Sequence, residues 1–326
     1  MERGLRLAVL VVGAALVAGL ACAAASRASG RRPSIVSFRL PAQVEPQGIA
    51  AGPDRNIWFT GNGSVSTVGR ITFGGHVTLF HVPTTGPLGG ITAGPGGDVW
   101  FTELRHPSLD SITPAGIVTR YALPRPAAGL ALGPDGALWF AETLSNRIGR
   151  FDPTTHAATE YLMPTANAWP HGIHRGPNGT LWFVEERASK IARTTSAGSI
   201  VEYALPTAHA DPRVIVPGPG GDLWFTEYAA EQIGRVTTSG DVAEFGLPHD
   251  AGHPDGIAAG SDGNLWFTEF GAGRIGRITP RGVVTEYPIP GGAASEPDKI
   301  VAGPNRTLWF TEEAANAIGR LRLGLP

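Results

Sequence analysis

The chain has a single cysteine, Cys22, so no internal disulfide can form and the fold must be held by packing and hydrogen bonds. It also lacks a basic excess: 26 Lys and Arg stand against 28 Asp and Glu, a formal net charge of −2. A phosphate-binding surface would show as clustered positive charge, so no nucleic-acid partner is expected. Long apolar runs are missing except for one, from Leu7 to about Ala25. There is no G-x-S-x-G elbow, H-E-x-x-H pair, Walker loop or Rossmann fingerprint.

The one apolar run follows Met-Glu-Arg-Gly-Leu-Arg and ends among small residues, Ala21, Ala23, Ala25 and Ala28. That order describes a secretory signal over residues 1–28, with an uncleaved membrane anchor as the alternative. Either places the rest of the chain outside the cytoplasm, secreted or anchored. Gly19-Leu20-Ala21-Cys22 is a poor match to a lipoprotein cleavage box, because Gly19 replaces the usual leucine.

What is abundant is glycine, proline and one repeated sentence. Aligned on the glycine before the first apolar residue, copies start at Gly48, Gly90, Gly129, Gly172, Val214, Gly256 and Lys299, in steps of 39 to 43 residues. Each copy contains four short β-type runs separated by G-P-D-G, G-P-N-G or T-P-R-G turns, whose Gly, Asn and Asp tolerate positive φ. Four antiparallel strands make one blade, so the expectation is an all-β, seven-bladed β-propeller over residues 34–326, a monomer. Trp-Phe pairs, from Trp58-Phe59 to Trp309-Phe310, fall on every second strand. Alternation sends the two rings to opposite faces of the blade, each toward a neighbour. The last copy stops at Arg320-Leu321-Arg322-Leu323, before an outer strand. Ser34–Pro41 has the character of that missing strand and is expected to close the ring.

Strand direction alternates, so the entrance to the first strand and the end of the second share one rim. Two variable places therefore meet there, and differing loops on a rigid scaffold are where function is sought. The residues before the proline column, which Leu88 and Ala127 fill in blades two and three, are Glu45, Pro87, Pro126, Trp169, Asp211, His253 and Glu296. Those after it are Gln47, Gly89, Ala128, His171, Arg213, Asp255 and Asp298. Those following the W-F-T-E glutamate are Asn62, Leu104, Thr143, Glu186, Tyr228, Phe270 and Glu313. Blades two and three contribute small or apolar residues, and blades five, six, seven and one contribute most of the charge. A bulky small-molecule or cyclic-peptide ligand held over one charged wall is the expectation, with Glu45, Gln47, Trp169, His171, Arg213, Tyr228 and Phe270 on the substrate rim.

Glu296, Asp298 and Glu313 belong to one blade, with Glu45 and Asp255 on its neighbours. Clustered carboxylates repel unless a cation or proton intervenes, and an all-oxygen set favours Mg²⁺ or Ca²⁺. Solvated rim acids are the plain alternative. The recurring glutamates, Glu103, Glu142, Glu185, Glu227, Glu269 and Glu312, read as structural, with the Gly-Arg arginines Arg150, Arg235, Arg277 and Arg320 as expected partners.

The W-F-T-E…I-G-R-I-T…T-E-Y-x-x-P pattern resembles the streptogramin B lyase family, whose type member is virginiamycin B lyase, over all seven repeats. The resemblance implies Mg²⁺-dependent elimination that opens the ester of a cyclic depsipeptide. It also implies Glu296 and Glu313 as metal-associated acids. Asp298 stands where the family has its catalytic histidine and Asp255 where it has the partner histidine of the preceding blade. The catalytic set implied here is Asp298, Asp255 and the nearby His253. A binding or scaffold propeller without cofactor, or a calcium-dependent lactone hydrolase, are the alternatives.

Overall fold

A computed structural model describes residues 33–324 apart from 42, 85 and 250. The expected leader, Cys22 included, lies outside the described residues. Seven four-stranded antiparallel sheets follow one another around a ring. In six of them the chain runs from the inner strand outward, as in Pro254–Ala259, Leu265–Glu269, Arg274–Ile278 and Val284–Pro288. The seventh is built from both ends of the domain. Pro297–Gly303, Thr307–Glu312 and Ala317–Arg322 are joined by Ser34–Arg39, which pairs antiparallel with the strand Ala317–Arg322 from Ser34↔Arg322 to Arg39↔Ala317.

The reason the ring holds together is in the Trp-Phe pairs. The tryptophan of each blade and the phenylalanine of the next share one apolar cluster. Trp58 with Phe101, Trp182 with Phe225 and Trp309 with Phe59 are examples, and seven such clusters fill the seven interfaces. All seven phenylalanines are fully buried, and no tryptophan of these pairs exceeds 3% exposure. Each tryptophan also stacks on the aromatic residue of its own outer strand, as Trp182 does on Tyr203 at 5.7 Å. In the seventh blade that partner is Phe38, 5.7 Å from Trp309 and nearly parallel to it at 18°. The N-terminal strand therefore supplies the ring as well as the hydrogen bonds.

Glycine on the third strand makes room for the buried phenylalanine. A Cβ at Gly69 would lie 2.0 Å from the Phe59 ring, and one at Gly319 2.1 Å from Phe310. The arginine after that glycine lies over the stacked aromatic pair: Arg235 is 5.7 Å from the Trp224 ring centre and Arg320 5.4 Å from that of Trp309. These arginines are thus not the partners of the recurring glutamates, contrary to expectation. The glutamates are fully or almost fully buried, and in four blades they face a second glutamate on the outer strand: Glu160, Glu202, Glu244 and Glu286. Burial first, and then the neighbouring carboxylate, pushes Glu142, Glu185, Glu227 and Glu269 up to about 8. They are held as neutral acids inside the blades. Two blades differ: in blade two Arg120 stands on the outer strand and pairs with both Glu103 and Asp110, and in blade seven Glu312 has Ser37 there instead.

Candidate functional site

Five of the inner strands begin with a proline, and six lose register with their partner near their start. Irregularities fall between Pro46 and Ile49, Leu88 and Ile91, Pro170 and Ile173, Pro212 and Ile215, Pro254 and Ile257, and Pro297 and Ile300. A bulge of this kind re-aims side chains away from the regular alternation. Here it turns the two residues after the proline toward the axis of the ring.

The bulge is held by the threonine of the W-F-T-E run. Its hydroxyl accepts the bulged N–H and donates to a carbonyl of the next blade. Gly256 N donates to Thr268 Oγ1 at 2.8 Å, and Thr268 Oγ1 donates to the Asp298 carbonyl at 2.5 Å. Lys299 N donates likewise to Thr311 Oγ1 at 3.0 Å, and Thr226 Oγ1 donates to the Asp255 carbonyl at 2.6 Å. The two aspartates are therefore fixed by the blade before each of them.

A second device brings the rim columns together. Glu45, Trp169, Asp211, His253 and Glu296 all have φ between 46° and 57°, a left-handed conformation costing a non-glycine residue about 1 kcal/mol. The kink points each carbonyl at the residue after the W-F-T-E position. Asn62, Glu186, Tyr228, Phe270 and Glu313 donate their N–H groups to those carbonyls at 3.0–3.2 Å. In blades two and three the position is proline, whose ring excludes positive φ.

The result is an axial cavity of about 950 Å³. Its wall includes Gln47, Leu104, His171, Arg213, Tyr228, Asp255, Phe270, Asp298, Lys299 and Glu313. Ile49, Ile91 and Ile173 line it further in. Blades two and three line it with neutral residues, and its ionisable groups from the rim columns are His171, Arg213, Tyr228, Asp255, Asp298 and Glu313 on blades four to seven; blade one, expected on the charged side, contributes Gln47.

Four expected residues are placed elsewhere. Glu45, Trp169, His253 and Glu296, all from the column before the proline, are absent from the cavity wall. Trp169 is covered by the Arg187 guanidinium, 3.3 Å from its ring centre, and borders a smaller pocket of about 330 Å³. His253 stacks on Tyr228 at 4.9 Å and lies 3.6 Å from Glu231, with its Nδ1 3.3 Å from the Tyr228 carbonyl. It supports the ring that faces the cavity instead of joining Asp255 and Asp298. The whole column stays off the wall, Pro87 and Pro126 included, because it lies before the bulge that turns the following residues toward the axis. His171 does reach the wall, its Nδ1 3.2 Å from Glu186.

The wall's most concentrated charge centres on Lys299. Its Nζ donates to Oδ1 of Asp298 at 2.6 Å and to Oδ1 of Asp255 on the preceding blade. All three side chains are less than a third exposed. Burial alone would lower the Lys299 amine, but the two aspartates outweigh it and raise it, so the group is an ammonium. Burial pushes Asp298 up to about 7 against the opposing pull of Lys299, with Asp255 adding to the rise. Glu313 is raised by burial and by Glu296, offset by its bond from Gln47 Nε2 at 3.4 Å.

The sequence profile of the virginiamycin B lyase family matches residues 27–156 and 90–324. The chain belongs to the virginiamycin B lyase family. It is similar to a solved streptogramin B lyase, with 33% identity, 89% of this chain and 98% of that one covered, and a TM-score of 0.84. Against virginiamycin B lyase from Staphylococcus aureus the values are 35% identity, 90% and 100% coverage, and a TM-score of 0.83. A catalytically inactive histidine-to-alanine variant of that Staphylococcus aureus enzyme, solved with quinupristin, matches at 36% identity, 90% and 100% coverage, and a TM-score of 0.84. No curated protein sequence matches.

Lys299 is the residue that reading the family pattern missed. It sits in the column that aligns the copies, where five other blades have glycine and one has Val214. The available signal was its rarity, since the chain has only two lysines, Lys190 and Lys299. Lys299 also bears on the metal that membership of the virginiamycin B lyase family implies. Of the carboxylates at this wall, Asp255 and Asp298 are engaged by the ammonium. Glu313 is bonded to Gln47, and among the described residues no three His, Cys, Asp or Glu side chains converge as a metal site.

Proposed function

We propose that this propeller is a carbon–oxygen lyase that opens an ester linkage in a cyclic, depsipeptide-like substrate. The observation that carries the reading is the Asp255–Lys299–Asp298 cluster on the wall of a cavity large enough for a bulky ligand. Elimination at an ester removes the proton from the carbon beside the alkoxy carbon, breaks the alkyl C–O bond, releases the carboxylate and leaves a C=C bond. It needs a base for that proton and positive charge where the enolate oxygen of the carbonyl next to that carbon develops. Asp298 is the base in this reading. The Lys299 ammonium, bonded only to Oδ1 of each aspartate, supplies the charge. Asp255 holds that ammonium in place, and Tyr228, Phe270 and Leu104 give the substrate an apolar seat. Delivery outside the cytoplasm by the leader, and action as a monomer, belong to the same proposal.

The test is incubation of the leaderless protein with quinupristin, the ligand of the solved relative, followed by chromatography and mass spectrometry. Elimination gives a linear product of unchanged mass, and hydrolysis adds one water. Linearisation without mass change, abolished in Asp298→Asn, is expected. Absence of product, or a product heavier by one water, overturns the reading. A binding propeller is the second reading, motivated by Asp255 and Asp298 standing where the family pattern has histidines. Saturable quinupristin binding without turnover would favour it.

A further inference from the structure

We propose that Lys299 is a built-in cation that takes the place of a divalent metal, so that the acidic wall of this family member is neutralised by its own chain. The catalytic meaning of this assignment rests on the lyase reading above, while the occupancy of the wall does not.

Three observations lead to it. The position is glycine in five of the seven blades, where it packs closely against the next blade. A Cβ at Gly48 would lie 2.8 Å from the Gly89 carbonyl, one at Gly172 2.3 Å from that of Arg213, and one at Gly256 2.6 Å from that of Asp298. Placing lysine in such a column works against the scaffold, so its compensation is sought in what the side chain reaches. What it reaches is a pair of carboxylates from two blades, Asp255 and Asp298, in a buried, charge-assisted arrangement. Finally, those aspartates are acidic residues in the column that elsewhere holds Gln47, Gly89, Ala128, His171 and Arg213. The lysine and the two acids occur together, and each explains the others.

The arrangement opposes a hard metal ion on two counts. Mg²⁺ and Ca²⁺ take six or more oxygen ligands, yet here one oxygen of each aspartate is already bonded to the ammonium. A divalent ion beside Glu296 and Glu313 would also be repelled by Lys299, whose charge is felt at Glu313. Removing the amine reverses both effects. It frees Asp255 and Asp298 beside Glu313, three carboxylates on one wall of the cavity.

The experiment is calorimetric titration of the leaderless wild type, Lys299→Gly and Lys299→Met with MgCl₂, CaCl₂ and MnCl₂, with near-ultraviolet circular dichroism to establish folding. The glycine variant restores the residue of five other blades, and the methionine variant keeps the bulk of the side chain. The wild type is expected to show no stoichiometric binding at millimolar metal, and at least one variant to bind one equivalent about tenfold more tightly or better. Stoichiometric submillimolar binding by the wild type overturns the proposal, as does a gain of affinity in none of the variants that fold. If neither variant folds, the wild-type titration decides. Quinupristin turnover abolished by a chelator and restored by Mg²⁺ would also overturn it. Absence of turnover, with the titrations as expected, would overturn the lyase reading and leave the built-in cation standing.

Discussion

Replacing Glu227 by glutamine tests whether the blades store protons. Glu227 is fully buried, and burial, then the facing Glu244, pushes it up to about 8. Glu244 accepts hydrogen bonds from Thr207 N at 3.1 Å and Thr207 Oγ1 at 2.7 Å. The proton therefore resides on Glu227, which has no such donors. In the unfolded chain the same group loses its proton near 4.5. Between the two values the folded state binds one more proton than the unfolded state, so stability is greatest below about pH 4.5 and falls as pH rises toward 8. The slope is about 1.4 kcal/mol per pH unit for one group, or about 2.7 kcal/mol between pH 5 and 7. Glutamine keeps the shape of the neutral acid and titrates nowhere in this range. Urea unfolding followed by tryptophan fluorescence at pH 5, 6 and 7 should show Glu227→Gln gaining on the wild type by about that amount. Parallel pH dependences would refute the assignment of a buried neutral acid, and with it the same assignment for Glu142, Glu185 and Glu269.

Two further substitutions probe the scaffold. Phe38→Ala removes the ring that completes the Trp309 and Arg320 stack, and should cost about 1–2 kcal/mol in denaturant unfolding, since the ring is only half-buried. A loss below about 0.5 kcal/mol would mean that the N-terminal strand closes the ring by backbone pairing alone. Thr268→Val leaves the Gly256 N–H without its acceptor and releases the Asp298 carbonyl, at about 1–3 kcal/mol. On the lyase reading it should lower kcat for quinupristin linearisation more than it raises KM, because Asp298 is mispositioned; an equal effect on both would argue against that positioning role.

The ring was legible because its signal is redundant. Seven Trp-Phe pairs on strands of period two, and an outer strand missing at one terminus but present at the other, admit one arrangement. Phe38 in the stack on Trp309 is the detail that the sequence order already implied. The convergence of rim columns was legible too, though its cause was not: the left-handed kinks at Glu45, Trp169, Asp211, His253 and Glu296 follow from hydrogen bonds that form only between folded strands. The bulge after that column also explains why His253, two residues from Asp255 in sequence, stands behind Tyr228 and outside the cavity.

Periodicity and composition by themselves determined the number of blades, the strand order, the closure and the neutral side of the rim, because each depends on local alternation or on a column repeated along the chain. Tertiary structure alone decided which side chains meet. The buried glutamates found a second glutamate across the blade instead of an arginine, and the arginines went to the aromatic stacks. Lys299, one residue past the expected site, came to hold Asp255 and Asp298 together. Such pairings cross strands and blades, where a bulge of one residue redirects a side chain, and no linear spacing carries that information.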